Sequence, residues 1–337
     1  MRDEVIMSKK SFTVSLVVPV YNEEESIDTF IETIDKELAP LRDQLEIVFV
    51  NDGSRDRTRE VVEKAIEKDS RVTLINLARN FGKEAAMTAG LAHARGDAII
   101  PMDVDLQDPP AIVLEFVRLW QEEGYDTVYG VRTDRNADTA MKRLTAGGFY
   151  RFFNAVSTTT KIPENAGDFR LMDRRVVDAI NQLPERNRFM KGLFAWAGFR
   201  SVGVPYARPE RAAGTTKFNY WKLWNFALDG LFSFSSWPLR VWSYIGGAVA
   251  GISFLYMLII ILKVIFVGVD SPGYASLMCV ILFLGGMQLL SIGIMGEYIG
   301  RMFLEVKQRP VFLVEGVYGQ YSRSEESVTA LKEDNAE

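Results

Sequence analysis

Two aspartates one residue apart, Asp103 and Asp105, have the spacing that most directly suggests chemistry. On an extended strand end both carboxylates project to one side and can approach a single ion directly or through water. Gln107, two residues further on, offers a carbonyl oxygen to the same side. Hard oxygen donors of this kind suit Mg2+ or Mn2+, ions that typically hold substrate phosphates. The segment Met102–Asp108 has two companions, Pro19–Glu25 (PVYNEEE) and Asn51–Asp56 (NDGSRD). No G-x-G-x-x-G follows the first apolar run and no G-x-x-x-x-G-K-[ST] occurs, so the glycine cradles of dinucleotide and P-loop proteins are excluded. Acidic segments without a cradle imply that a cation mediates between protein and an anionic ligand. The plainer alternative makes Asp103 and Asp105 turn residues before Pro109-Pro110; their place beside two other acidic strand ends favours the metal.

The elements that must position these residues alternate along the chain. Apolar, β-branched runs recur at Val14–Val20, Glu46–Asn51, Val72–Ala78, Asp97–Met102 and Thr127–Val131. Between them Glu23–Leu38, Asp56–Lys68, Gly82–Ala94 and Pro109–Glu123 carry helical patterns. Strand–helix alternation predicts a mostly parallel sheet with helices on both faces. Ligands of such sheets bind outside the carboxyl ends of the strands, where the three acidic segments fall.

Composition narrows the class further. Residues 241–296 hold only two charged side chains, Lys263 and Asp270, although the whole 337-residue chain has 39 Lys+Arg and 44 Asp+Glu. The uncharged stretches Val241–Leu262 and Ser271–Gly296 are 22 and 26 residues long. Each is long enough to cross a bilayer, for which about 20 apolar residues suffice. Arg240 before the first, and Arg301, Lys307 and Arg309 after the second, predict a helical hairpin with both ends in the cytoplasm; Lys263 is a weaker opposing signal that can snorkel to the far interface. The aromatic-rich segment 217–242 reads as an interfacial helix on the membrane surface, or alternatively as a soluble core helix. GxxxG spacings at Gly247–Gly251 and Gly296–Gly300 permit close helix packing and weakly favour a homo-oligomer. One cysteine, Cys279, and one histidine, His93, exclude disulfide scaffolds and His-rich zinc sites. A net charge of −5 argues against a nucleic-acid partner. No secretory signal is visible, so the polar bulk is expected in the cytoplasm.

The segments Pro19–Glu24, Asn51–Ser54 and Asp103–Asp108 resemble the nucleotide-sugar and metal motifs of family 2 glycosyltransferases with the GT-A fold. So do RNFGKE (Arg79–Glu84), GDFRLMDR (Gly167–Arg174), LPERNRFMKG (Leu183–Gly192), GTTKFNYWKLWN (Gly214–Asn225) and GEYIGR (Gly296–Arg301). Over about residues 12–315 the chain is similar to polyprenyl-phosphate glycosyltransferases of the dolichyl-phosphate mannose synthase type. Within these it most resembles the bacterial bactoprenol glucosyltransferases of O-antigen modification. The resemblance implies a Rossmann-like GT-A sheet, an interfacial amphipathic helix and a two-helix transmembrane hairpin. The division expected is an extension at 1–11, a cytoplasmic GT-A domain at 12–216, interfacial helices at 217–239, spans at 240–266 and 271–299, and a cytoplasmic segment at 300–337 with a disordered acidic tail.

The implied reaction moves glucose from UDP-glucose to undecaprenyl phosphate with inversion, on the cytoplasmic leaflet of a bacterial inner membrane. Pro19, Tyr21, Glu23 and Asp52 match positions that line the nucleoside pocket, with Asp52 on the base. Asp105 and Gln107, with Asp103 nearby, would hold Mg2+ or Mn2+ across the diphosphate, and Arg132 would meet the nucleotide sugar. Asp168 matches the position usually treated as the catalytic carboxylate. Its expected part is to orient acceptor or sugar, because an alkyl phosphate with a second pKa near about 6 is already a dianionic nucleophile at neutral pH. Arg208, Arg211 and Lys217 would receive the lipid phosphate near the membrane. Lys83 and Arg170 are further phosphate contacts or surface or structural side chains; His93, near the end of a helix, reads as structural or exposed rather than catalytic, and the apolar stripe 141–153 as packing or a face toward the membrane. A flippase and a periplasmic glycosyltransferase would act on the product. Competing readings are another sugar (N-acetylglucosamine, galactose or a modified arabinose), a processive polysaccharide synthase, and a non-catalytic membrane scaffold. The second lacks its Q-x-x-R-W motif here.

Overall fold

The β-branched runs form strands where expected, and their alternate side chains face two different helical layers. The computed structural model describes residues 12–133, 166–186, 188–207, 237–267 and 273–319. β1 (Val14–Val20), β2 (Leu45–Asn51), β3 (Val72–Leu77) and β4 (Ala98–Pro101) pair in parallel in the order β4-β1-β2-β3. Helices α1 (Ile27–Glu37), α2 (Thr58–Lys68), α3 (Lys83–His93) and α4 (Ile112–Glu122) connect or follow them. Val14, Leu16, Val18 and Val20 pack with Ile47, Phe49 and Leu74 into one core layer, while Val17, Val48, Val50 and Ile75 pack with α3 into the other. Phe30 of α1 meets Phe49 edge-on at 5.8 Å, both fully buried, a burial of about 1.5–3 kcal/mol for each ring. On the opposite layer α3 is built from small residues because it lies against β1: a Cβ on Gly90 would sit 2.2 Å from Val17 Cγ1.

Beyond residue 133 the described sheet acquires three strands with no counterpart in the sequence reading, two of them beside the predicted fifth strand. β5 (Thr127–Arg132) pairs with β6 (Ala166–Asp173) antiparallel and with β7 (Ser201–Tyr206) parallel. β6 also pairs antiparallel with β4. Two short helices, α5 (Arg174–Asn181) and α6 (Met190–Trp196), lie between β6 and β7. Asp173 caps α5 by accepting from Arg175 N, and its other oxygen accepts from the Trp120 indole at 2.8 Å. The long helices α7 (Trp237–Val267) and α8 (Tyr274–Val306) follow. After them β8 (Val314–Tyr318) returns to the sheet and pairs antiparallel with β3. The full order is β7-β5-β6-β4-β1-β2-β3-β8, a mixed sheet in which the neighbouring strands β4, β1, β2 and β3 are parallel.

α7 and α8 are 31 and 33 residues long and expose many large apolar side chains, among them Ile252, Phe266, Leu289 and Met302. Among the described residues no helix is long and apolar enough to cross a membrane; both helices also contain residues outside that set. The expected extension 1–11, the stripe 141–153, most of the interfacial segment 217–239 and the acidic tail fall outside the described residues. His93 stands near the end of α3; its Nδ1 lies 2.8 Å from the Ala89 carbonyl oxygen and its ring is 6.3 Å from that of Phe312.

Candidate active site

The parallel core brings the carboxyl ends of β1, β2 and β4 to one edge, and the antiparallel pairing of β6 brings its first residues to the same edge. Asp168 therefore meets Asp103 although 65 positions separate them in sequence. A cleft there is lined by Met102, Asp103, Asp108, Arg132, Asp168 and Lys191. Lys83, the first residue of α3, sets its ammonium 2.6 Å from Asp103 Oδ1 and 3.6 Å from Asp168 Oδ2. Asp168 Oδ1 is buried without a hydrogen-bond partner among the described residues. Burial would raise the Asp168 carboxyl, but the Lys191 and Lys83 ammoniums and the Arg170 and Arg132 guanidiniums hold it below the ordinary carboxylate range. Glu84 behaves oppositely: burial first, and then the like charge of Asp168, push it up to about 7.

The metal-ligand expectation needs a change in geometry. β4 stops at Pro101, so Asp103 and Asp105 do not continue an extended strand. They lie in a turn in which Leu106 takes φ +55° and Gln107 N donates to Asp105 Oδ1 at 3.2 Å. Asp103 and Asp105 are partly exposed, whereas Gln107 is buried. No group of three His, Cys, Asp or Glu side chains with metal-binding spacing occurs among the described residues. The two partly exposed carboxylates of Asp103 and Asp105 are the kind of donors that hold Mg2+ or Mn2+ together with substrate phosphates, rather than in a closed protein cage. The residues present fit such an ion.

The loops assigned to the nucleoside form a connected unit. Asn22 N donates to Ser54 Oγ at 3.0 Å, Arg55 N to Asn22 Oδ1 at 2.8 Å, and Glu23 N to Thr58 Oγ1 at 2.9 Å. Tyr21 is exposed, Pro19 and Glu23 are half-buried, and the Glu23 carboxylate accepts from Ser26 Oγ. Asp52 is buried and its two oxygens accept from Phe81 N at 2.7 Å and Gly82 N at 2.9 Å. It thus fixes the start of α3, and with it Lys83. Gly53 follows with φ +66°, and a Cβ there would come within 2.5 Å of the Arg79 and Asn80 backbone, so only glycine fits this turn.

Arg132 stands at the end of β5 and is held by two residues to which the sequence reading gave no role of their own, Tyr206 and Asp108. Its Nε donates to Tyr206 Oη at 3.2 Å, and its Nη2 lies 3.6 Å from Asp108 Oδ1. Tyr206 Oη donates in turn to Asp108. Arg170 faces inward: it is buried, donates to the Gly167 carbonyl at 2.7 Å and stacks over Phe194 at 4.2 Å. Arg208, Arg211 and Lys217 lie outside the described residues. Lys191, Asp108 and Glu84 were also missed; each sits inside a quoted motif, but only the folded chain brings Lys191 and Asp108 to the cleft and turns the Glu84 carboxylate to accept from Met190 N at 3.2 Å. Tyr206 has no local signal at all.

A family model for glycosyl transferase family 2 matches residues 15–180, and one for the GtrB C-terminal hairpin matches residues 237–302. The chain is 52% identical over 304 residues to the SfII prophage-derived bactoprenol glucosyl transferase of Shigella flexneri, covering 90% of this chain and 97% of that protein. The chain belongs to glycosyl transferase family 2. This glycosyltransferase is also 52% identical over 305 residues to an uncharacterized glycosyltransferase of Synechocystis, covering 90% of this chain and 95% of that one. A mannosyltransferase from Pyrobaculum calidifontis in complex with GDP-Man and Mn2+ aligns with the glycosyltransferase at TM-score 0.42 and 21% identity, over 61% of this chain and 59% of that one.

Proposed function

We propose that this glycosyltransferase transfers glucose from UDP-glucose to a polyprenyl phosphate, undecaprenyl phosphate in a bacterium, with inversion at the anomeric carbon. The observation that carries the reading is the cleft in which Asp103, Asp168, Lys83, Lys191 and Arg132 converge. It supplies what the reaction needs, namely carboxylates for a metal and a sugar, and cations to bring two anions together. The sugar and the lipid are those in the name of the Shigella flexneri relative, which is similar along nearly its whole length.

Pro19, Tyr21, Glu23 and Asp52 surround the nucleoside. Asp105, with Asp103 and Gln107, would hold Mg2+ or Mn2+. The ion, when bound, neutralises charge growing on the UDP leaving group. Arg132, locked by Tyr206 and Asp108, presents a fixed guanidinium to the diphosphate. Lys83 and Lys191 draw the acceptor phosphate toward the anomeric carbon and keep Asp168 ionised. Asp168, whose buried Oδ1 has no hydrogen-bond partner among the described residues, accepts a hydrogen bond from the sugar and orients it for attack from the opposite face. Arg208, Arg211 and Lys217 receive the lipid phosphate where the chain meets the membrane.

The spans at 240–266 and 271–299 anchor the enzyme as a multi-pass protein of the inner membrane, with domain 12–216, interfacial segment 217–239 and segment 300–337 on the cytoplasmic side. The exposed apolar side chains of α7 and α8 support this reading, since water would penalise them and lipid would not. The glycolipid would then pass to a flippase and a periplasmic glycosyltransferase, and the enzyme would assemble as a homo-oligomer through its hairpins.

The test is mass spectrometry of lipid products from detergent-purified protein given undecaprenyl phosphate, Mg2+ and a panel of UDP-sugars, with Asp105→Asn as control. A hexosyl phospholipid from UDP-glucose alone, absent with the variant, is expected. Product from another donor would replace the sugar, and no lipid product from any donor would overturn the acceptor.

A further inference from the structure

Strand β8 follows the long helices directly, yet its side chains reach back to the loops assigned to the donor. Asn76 of β3 lies opposite Gly316 of β8 on one side and Asn51 of β2 on the other. Both asparagines are buried, with 4% and 2% exposure. Asn76 Nδ2 donates to Glu315 Oε2, Asn51 Nδ2 donates to Asn76 Oδ1 at 2.6 Å, and Ser54 N donates to Asn51 Oδ1 at 3.1 Å. Ser54 Oγ then accepts from Asn22 N. One run of hydrogen bonds therefore joins the strand after the hairpin to both loops of the nucleoside pocket.

The order of donors and acceptors in this run is set at one end. An ionised carboxylate can only accept, whereas an amide side chain has one donating and one accepting end. Glu315 thus obliges Asn76 to turn its NH2 outward and its oxygen toward Asn51. Asn51 must then turn its own NH2 to Asn76, which leaves its oxygen for Ser54 N–H. A donor in place of Glu315 would reverse both amides and set an NH2 against that N–H. Buried amides cannot turn to water to escape such a mismatch. Arg59 steadies the controlling end: its Nη1 lies 3.9 Å from Glu315 Oε1, and its Nη2 donates to Tyr318 Oη at 2.6 Å.

We infer that Glu315 is a positioning residue for the donor, setting through Asn76 and Asn51 the shape of the 51–54 turn and the loop it holds at Asn22. This rests on the reading that these loops bind the nucleoside of the UDP-sugar. It also makes donor affinity sensitive to how β8, and so the end of α8, is seated. That seat is fixed by Ala78 N donating to the Leu313 carbonyl at 2.9 Å, and by Arg186 N donating to the Glu305 carboxylate at 3.0 Å.

The test compares full-length Glu315→Gln, Glu315→Ala and Glu315→Lys by UDP binding, by steady-state kinetics with UDP-glucose and undecaprenyl phosphate, and by amide hydrogen exchange without ligand. Glutamine can still accept, so it should stay within about twofold of wild type, while alanine should weaken UDP binding and raise KM for UDP-glucose about fivefold. Lysine should do so by more than about tenfold, through the reversed amides. In the last two the Ser54 amide should exchange faster, while kcat and KM for the lipid phosphate hold. Asn76→Ala should match Glu315→Ala, and the double variant should go no further. A fall in kcat with unchanged KM would make Glu315 a structural strut and overturn the inference. So would an unchanged Ser54 amide in both the alanine and lysine variants. If wild-type protein fails to bind UDP, the donor reading fails, and the Ser54 amide still decides whether Glu315 controls the turn.

Discussion

Replacing Tyr206 with phenylalanine removes one oxygen from the interior and tests how Arg132 is held. Tyr206 is 4% exposed; its hydroxyl donates to Asp108, itself buried, and accepts from Arg132 Nε at 3.2 Å. Both partners are charged, and hydrogen bonds to charged groups contribute about 1.5–3 kcal/mol each. The gross loss is offset where Arg132 Nη2 and Asp108 Oδ1, already 3.6 Å apart, close on each other. A net destabilisation of about 2 kcal/mol remains, which lowers Tm by about 4–8 °C for a domain of this size. Burial first, and then the Asp108 charge, push the Tyr206 hydroxyl up to about 12, so it stays protonated and the loss should be constant from about pH 6 to 9. Thermal unfolding followed by tryptophan fluorescence measures the first effect. The second should be a rise in KM for UDP-glucose, because the guanidinium is no longer fixed. A Tyr206→Phe protein that melts within about a degree of wild type and keeps its KM would refute the argument that the Asp108–Tyr206–Arg132 group positions the cation.

Three further outcomes are expected. Asp168 has a depressed pKa, so it remains ionised across the working range and loses its charge only as pH falls below the ordinary carboxylate range; Asp168→Asn should lower turnover about 10- to 100-fold with the shape of the pH profile kept, and near-normal turnover from about pH 5 to 8, around the acceptor's second pKa, would rule out an essential base. Glu84 is raised above its ordinary 4.5 to about 7; its contribution to stability is full below 4.5 and lost as pH rises to 7, so Tm should fall between about pH 4.5 and 7 and level off above that, and Glu84→Gln should flatten that fall in a buffer series. Ending the chain after Tyr321 should leave lipid-product formation intact, whereas ending it after Val311 removes β8 and exposes the edge of β3, which assays of activity and aggregation would register as loss and gain respectively.

The first half of the catalytic sheet was legible because its signals are local. β-branched runs bounded by polar loops define β1 to β4, and a parallel sheet needs the helices that the intervening sequence provides. The acidic segments could be assigned to the strand ends for the same reason. By itself the sequence also determined the two long apolar helices and, through motif likeness, the family. Only the tertiary structure decided which distant groups share the cleft. Antiparallel β6 returns Asp168 beside Asp103, and α3 begins where Asp52 accepts two backbone amides and so aims Lys83 between them. Asp103 and Asp105 sit in a turn rather than on a strand because β4 ends at Pro101 and Leu106 adopts φ +55°, a backbone choice with no periodic signature. Tyr206 and Glu315 were invisible for a deeper reason. Their roles depend on partners 98 and 239 residues away, Asp108 and Asn76, and pairing across such separations is set by strand order, which composition and spacing do not encode.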